Sequence, residues 1–252
     1  MKAMIFAAGL GTRLRPVTDT IPKALIEVGG RPMLARVIDR IAGAGISEIV
    51  VNVHHHAKKV KEWIAANTPE GVTIDVSDES DLLLDTGGGV AKAIPLLGTD
   101  DDVLLHNADI FTDFDLREMI AAHTETGADA TLLADKRETS RYLLFGPDGR
   151  MTGWTNITTG EVRSPFGTDI TSSSRPLAFG GVHIISPKIL RALAAYADGG
   201  QKFSITPFYI SGCAKFDIRA FTPAAPYRWI DIGKPETLAK AIEIARQNTN
   251  QC

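Results

Sequence analysis

Three cations and two glycines crowd the stretch FAAGLGTRLRPVTDTIPKAL, Phe6 to Leu25, which holds Gly9, Gly11, Arg13, Arg15 and Lys23. A glycine has no Cβ, so backbone N–H groups there can approach a phosphate closely. Fixed guanidinium and ammonium groups repel one another at such spacing, and their grouping makes chemical sense around a small polyanion such as a triphosphate. A merely solvated basic turn would account for neither the glycines nor the cations together.

Two aspartates stand where apolar strands give way to loops, Asp109 in VLLHNADI and Asp231 in YRWIDIG. A carboxylate at the carboxyl end of a strand faces the cleft. Two of them can hold one Mg²⁺, with waters and phosphate oxygens completing its octahedron. The competing reading is that each aspartate only caps a turn. A second glycine run, DTGGGVAKAI from Asp85 to Ile94, opens a helix, where free N–H groups and the helix dipole favour a ligand. Just upstream lies Glu79 in SDESD. Its carboxylate is placed to accept the ring N–H of uracil, thymine or guanine. Cytosine and adenine would leave it unpaired, a loss of about 1 to 3 kcal/mol. The alternative is an acidic loop in which Asp78, Glu79 and Asp81 are interchangeable.

His54, His55 and His56 are consecutive, and side chains that alternate in direction cannot all ligate one ion. Structural roles are therefore expected for them. Trp229 is either the floor of a sugar pocket or core.

The elements that must position these groups follow an α/β rhythm. The strand Met4 to Ala8 leads to the loop, and Pro32 opens a helix in which Met33, Leu34, Val37, Ile38 and Ile41 recur at helical spacing. The unalternating apolar strand EIVVNV, Glu48 to Val53, is of the type buried on both faces of a parallel sheet. Helices at 57–66, 89–97 and 116–126 then alternate with strands at 72–76, 102–106 and 130–134. From Arg141 the pattern becomes a hairpin, 142–145 and 151–154, followed by an irregular polar loop or small lid over 156–175. Strands at 177–185 and 216–221 and helices near 187–196, 204–210 and from Pro235 complete the chain. The expected fold is α/β and doubly wound, with a mainly parallel, Rossmann-like sheet and a small antiparallel extension. One domain over 1–252 is expected, with a first half over about 1–135 that carries the loop and a second over about 136–252 that extends the sheet and supplies the pocket for a second substrate. Ligands in such sheets sit beyond the carboxyl ends of the strands.

Composition agrees with one globular core: 252 residues, 44% hydrophobic and 23% charged, with a net charge of −3. The even charge excludes a general nucleic-acid or membrane-surface binder. Cys213 and Cys252 alone cannot form a disulfide framework or a zinc site, and with no leader or long apolar segment the expectation is a soluble cytoplasmic protein, a monomer or small homo-oligomer.

The opening stretch resembles the first motif of the sugar-1-phosphate nucleotidyltransferases, a Gly-x-Gly-Thr-Arg loop followed by a Pro-Lys pair. LLHNADI, DTGGG, AFGGVHIIS and YRWIDIGKPE extend the likeness over nearly the whole chain, with 141–175 poorly matched. Within the family it resembles the short bacterial enzymes that make a UDP-sugar from N-acetylmuramic acid 1-phosphate. The resemblance implies nucleotide contacts at Ala8, Gly9, Gly11 and Thr12, with Arg13 on the β and γ phosphates and Lys23 on the α-phosphate. It further implies Mg²⁺ at Asp109 and Asp231, the base at Glu79 and Gly88, and the sugar at Asn156 and Gly181. Two departures are plain. Ala108 replaces the glycine usual before the metal aspartate, and no Glu-Lys-Pro triplet supplies a second lysine.

The implied reaction joins an NTP, by this reading UTP, to a sugar 1-phosphate and releases pyrophosphate. Two alternatives stay open: cytidylyl transfer to phosphocholine or a similar phosphorylated alcohol, and an inactive nucleotide-binding regulatory homologue. A dinucleotide-binding dehydrogenase lacks its third glycine here, and a Walker NTPase its Gly-Lys-Ser/Thr.

Overall fold

The computed structural model describes residues 1–197 and 201–249, so Cys252 lies outside the described residues. Strand β1 (Lys2–Phe6) alternates its side chains between two cores: Ala3 and Ile5 face one, Met4 the other. It is therefore buried on both sides, as a central parallel strand must be. Helix α1 (Met33–Gly43) buries Met33, Leu34, Val37, Ile38 and Ile41 and returns the chain to β2 (Glu48–Val53). Next come α2 (Ala57–Asn67), β3 (Thr73–Asp78), α3 (Asp85–Leu97) and β4 (Val103–Asn107). Helix α4 (Leu116–Thr126) starts at Asp115, whose carboxylate accepts the Arg117 N–H at 2.9 Å, and stops at left-handed Gly127.

Six more strands complete the ten-stranded sheet: β5 (Ala130–Asp135), β6 (Arg141–Phe145), β7 (Met151–Asn156), β8 (Glu161–Arg163), β9 (Arg175–Ile185) and β10 (Ile218–Phe221). Their order is β8-β7-β6-β9-β4-β1-β2-β3, with β5 and β10 branching from β9. Strands β1, β2, β3 and β4 pair in parallel, as do β5 and β10, whereas β6 to β9 run antiparallel. The parallel sheet and its antiparallel extension are thus as expected. The irregular loop expected over 156–175 is not wholly irregular: it contributes β8 and a 3₁₀ turn at Asp169–Ser172.

Helices α1, α2 and α4 cover one face, and α3, α5 (Pro187–Tyr196) and α6 (Ile205–Gly212) the other. The last helix, α7 (Pro235–Thr249), packs Ala241 and Ala245 against Leu14, Val28 and Ile232 beside the opening loop. No described helix is long and apolar enough to cross a membrane.

The chain leaves β1 toward β2 on one side and comes back to β4 on the other. That reversal opens a crevice at the carboxyl ends of β1 and β4, where ligands bind in open α/β sheets.

Candidate functional site

The crevice is a cleft of about 430 Å³ lined by the loop from Phe6 to Arg13, by Lys23, and by Asn107, Ala108 and Asp109. Ala8, Gly9, Gly11, Thr12, Arg13, Lys23 and Asp109 thus all border one space. Gly11 is left-handed (φ 65°), and a Cβ there would lie 2.7 Å from Thr18 Cγ2, so only glycine fits without strain. The buried Thr18 hydroxyl donates to the Gly11 carbonyl at 2.9 Å and fixes the turn.

Behind the loop stands a buried chain of polar groups. Ala7 N–H donates to Asn52 Oδ1 at 2.8 Å, Asn52 Nδ2 donates to Glu79 Oε1 at 2.7 Å, and Leu84 N–H donates to Glu79 Oε2 at 3.0 Å. Glu79 borders the cleft yet has 0% exposure. Its carboxylate is held on both oxygens, by Asn52 and by the Leu84 N–H, and ties the ends of β1, β2 and β3 together. Gly88 is displaced from its expected place. The N–H groups of Gly87 and Gly88 donate to the Phe203 carbonyl at 2.9 and 3.1 Å, so the helix start is already capped. The glycines are there for packing. A Cβ on Gly87 would meet the Phe203 ring at 2.3 Å, and one on Gly88 the Gln201 carbonyl at 2.6 Å.

The charged groups converge at the mouth of the cleft. Lys23 Nζ donates to Asp109 Oδ2 and lies 3.9 Å from Asp231 Oδ1, while Arg13 Nη2 lies 3.9 Å from Asp231 Oδ2. The Asp231 strand, Trp229–Asp231, pairs with Ile110–Thr112 just past Asp109, and the Ile232 N–H donates to the Asp109 carbonyl at 3.0 Å. Residues 122 positions apart are so brought onto one ammonium. Gly233 completes the contact: a Cβ there would come within 2.5 Å of Arg13 Nη2, 2.7 Å of Asp231 Oδ1 and 3.0 Å of Lys23 Nζ. Arg15 does not join this group. It pairs with Asp19 at 3.2 Å and lines neither cleft, so the loop directs two cations and not three.

Arg13 also borders a second cleft of about 890 Å³, walled by Arg137, Arg141, Trp154, Asn156 and Trp229. Asn156 Oδ1 accepts the Thr158 N–H at 3.0 Å, an internal turn at the rim. Gly181 (φ 71°) sits in the bulge of β9, where a Cβ would lie 2.7 Å from Asn107 Nδ2. Of the histidines, His54 Nδ1 contacts the Glu79 carbonyl at 2.6 Å and His56 Nε2 the Thr18 carbonyl at 3.2 Å, both bracing roles. Beneath the junction, burial pushes His106 down to about 4 and His183 down to about 3.

Sequence reasoning did not single out Gly233, Lys202, Asn52, Asn107 or Arg137. Gly233 had a signal, as the last residue of YRWIDIG, and Lys202 reaches the first cleft only because Phe203 docks on α3.

Asp109 and Asp231 both face the Lys23 ammonium, and two such hard oxygen donors suit a divalent ion that takes its other ligands from water and phosphate. No group of three or more ligating side chains occurs among the described residues.

Sheet, crevice and charge pattern together define a nucleotide-handling α/β enzyme. Residues 2–146 match the family described as nucleotidyl transferase. The N-acetylmuramate alpha-1-phosphate uridylyltransferase of Caulobacter vibrioides is 32% identical over 93% of this chain and 92% of its own. The mannose-1-phosphate guanyltransferase of Hypocrea jecorina is 26% identical over 94% of this chain, which spans 62% of that protein. A crystal structure of apo UDP-glucose pyrophosphorylase superposes with a TM-score of 0.78 at 15% identity, covering 99% of both chains, a likeness of fold. The chain belongs to the nucleotidyl transferase family, and its class is that of the sugar-1-phosphate nucleotidyltransferases.

Proposed function

We propose that this enzyme joins UTP to N-acetylmuramic acid 1-phosphate, giving the UDP-sugar and pyrophosphate. The observation that carries the reading is the meeting of Arg13, Lys23, Asp109 and Asp231 at the seam between the two clefts. Arg13 borders both clefts, so an anion entering from either side meets it. The uridylyltransferase relative, aligned over nearly its whole length, supports UTP and the sugar. By this reading residues 1–135 form the nucleotide side and 136–252 the sugar side of one domain.

The sugar phosphate oxygen attacks the α-phosphorus in line, and pyrophosphate leaves. The nucleophile is already an anion, so no general base is required, and rate comes from positioning and charge. The loop from Ala8 to Thr12 holds the triphosphate by its backbone. Arg13 meets the β and γ phosphates, and Lys23, drawn between the two aspartates, meets the α-phosphate. Asn156 and Gly181 border the sugar. Asp109 and Asp231 would hold Mg²⁺, which when bound lowers the repulsion between the reacting anions and stabilises the leaving group.

Pyrophosphate release from UTP, dTTP, GTP and CTP against a panel of sugar 1-phosphates, with and without Mg²⁺, tests the proposal. Mg²⁺-dependent release from UTP with N-acetylmuramic acid 1-phosphate is expected. Release only from CTP with phosphocholine, or from GTP with mannose 1-phosphate, contradicts it.

A further inference from the structure

The second cleft carries an excess of positive charge. Arg13, Arg137, Arg141, Arg163, Lys234 and Lys240 line it against Glu138, Glu161 and Asp231, six cations to three acids. Some of that charge is already matched: Arg163 pairs with Glu161 at 2.7 Å, and Arg13 lies by Asp231. Arg137 is different. Its Cζ lies 3.6 Å from the centroid of the Trp229 ring, its Nη2 donates to the Ala178 carbonyl at 2.9 Å, and its buried Nε has no hydrogen-bond partner. Among the described residues it forms no ion pair. Trp229 itself is pinned, its indole N–H donating to the Gly180 carbonyl at 2.8 Å.

A guanidinium that is stacked, half-buried and reached by the Asp135 carboxylate only from beyond ion-pair distance keeps an unfilled fork, and charges withdrawn from water are stable when matched by an opposite charge. The stack removes most of the side chain's freedom in advance and presents a planar fork suited to a carboxylate or phosphate. Arg141, exposed on β6 opposite Asn156, adds a second cation without an ionic partner among the described residues on the same wall. The phosphate of a sugar 1-phosphate must lie at the seam to reach the α-phosphorus it attacks, beside Lys23 and away from the far wall. The cations on the far wall therefore answer a second negative group on the sugar.

We propose that Arg137, assisted by Arg141, selects sugar 1-phosphates that carry a carboxylate. This rests on the nucleotidyl-transfer reading above and adds the residue that discriminates the sugar. N-acetylmuramic acid 1-phosphate and N-acetylglucosamine 1-phosphate differ only in a carboxylate-bearing ether arm, which makes them the matched probes.

The experiment measures kcat and KM for both sugars with UTP and Mg²⁺ in the wild type, R137Q, R137K and R141Q. The wild type is expected to favour the carboxylated sugar. R137Q should lower that preference about 10- to 100-fold, mostly through KM, the usual effect of removing a hydrogen bond to a charged group. R137K, which keeps the charge and loses the fork, should recover part of it. R141Q removes an exposed charge and should lower the preference about 2- to 5-fold, a result that does not depend on R137Q folding. Equal losses with both sugars, or a wild type indifferent to the carboxylate, overturn the proposal while leaving nucleotidyl transfer standing. Calorimetric titration of the same two sugars decides it even for a preparation that releases no pyrophosphate, an outcome that would remove the parent reading instead.

Discussion

The two clefts meet at Arg13 but are built differently. The first is backed by buried polar groups whose partners are all internal: Thr18 on Gly11, Asn52 between Ala7 and Glu79, Glu79 on Leu84. The second is walled by antiparallel strands and by the starts of α6 and α7, with exposed arginines and a rim asparagine bonded to its own turn. A rigid cradle suits a triphosphate, which is the same in every nucleotide. An open wall of long side chains suits the sugar, the part that differs between relatives.

The sharpest way to break this contrast is at the seam. Lys23→Ala is expected to lower kcat on the order of 10² to 10³-fold with the fold retained, as for other preorganised charge stabilisers, measured by pyrophosphate release and circular dichroism. Near-normal turnover would deny Lys23 its role. Acid tests the scaffold beneath the seam. His106 and His183 stay neutral in the fold down to about 4 and about 3, whereas an unfolded histidine takes up its proton near 6.5. The unfolded chain thus binds more protons, and the stability these residues contribute is complete above about pH 6.5 and falls as pH drops toward 4. From pH 7 to 5 a loss of roughly 2 to 4 kcal/mol is expected, read from urea midpoints. A midpoint that does not move over this range contradicts it.

Smaller effects separate the clefts more finely. Gly233→Ala pushes the side-chain ends of Arg13, Asp231 and Lys23 and no backbone, so melting should barely change while kcat falls about 10- to 100-fold. Glu79→Gln sets an amide N–H₂ against either Asn52 Nδ2 or the Leu84 N–H and should destabilise by about 1 to 2 kcal/mol. All four NTPs should weaken alike. A change confined to UTP against CTP would make Glu79 the reader of the base. Asn156→Ala, on the open wall, should cost less than about fivefold in kcat/KM for the sugar, in line with a single exposed neutral hydrogen bond.

Much of the scaffold could be read from local signals. Helix α4 has Asp115 and Gly127 at its ends, and α5 has Pro187 in its first turn, so both ranges follow from the sequence. That the loop glycines lie at one crevice with Asp109, and Asp231 beside it, was legible because glycines and carboxylates at the carboxyl ends of parallel strands face the same crevice. Glu79 was not, since nothing local distinguishes it from Asp78 and Asp81. Only the fold reveals that Asn52 and Leu84 surround it. The glycine run misled for a similar reason: the carbonyl that occupies its N–H groups belongs to Phe203, over a hundred residues later. Strand β8 was hidden in a Thr- and Ser-rich segment, and is held by pairing of Trp154 with Arg163, whose Cζ lies 5.2 Å from the indole centroid.

The docking of Phe203 onto the start of α3 has a consequence for how the enzyme comes into being. The family motif occupies residues 2–146, yet a ribosome that has made only those has not yet supplied the carbonyl that caps α3, the strand that separates β4 from β6, or Asp231. The nascent chain therefore holds an unfinished pocket until its last fifty or so residues emerge, and truncation or grafting at the motif boundary yields a fragment without a working seam.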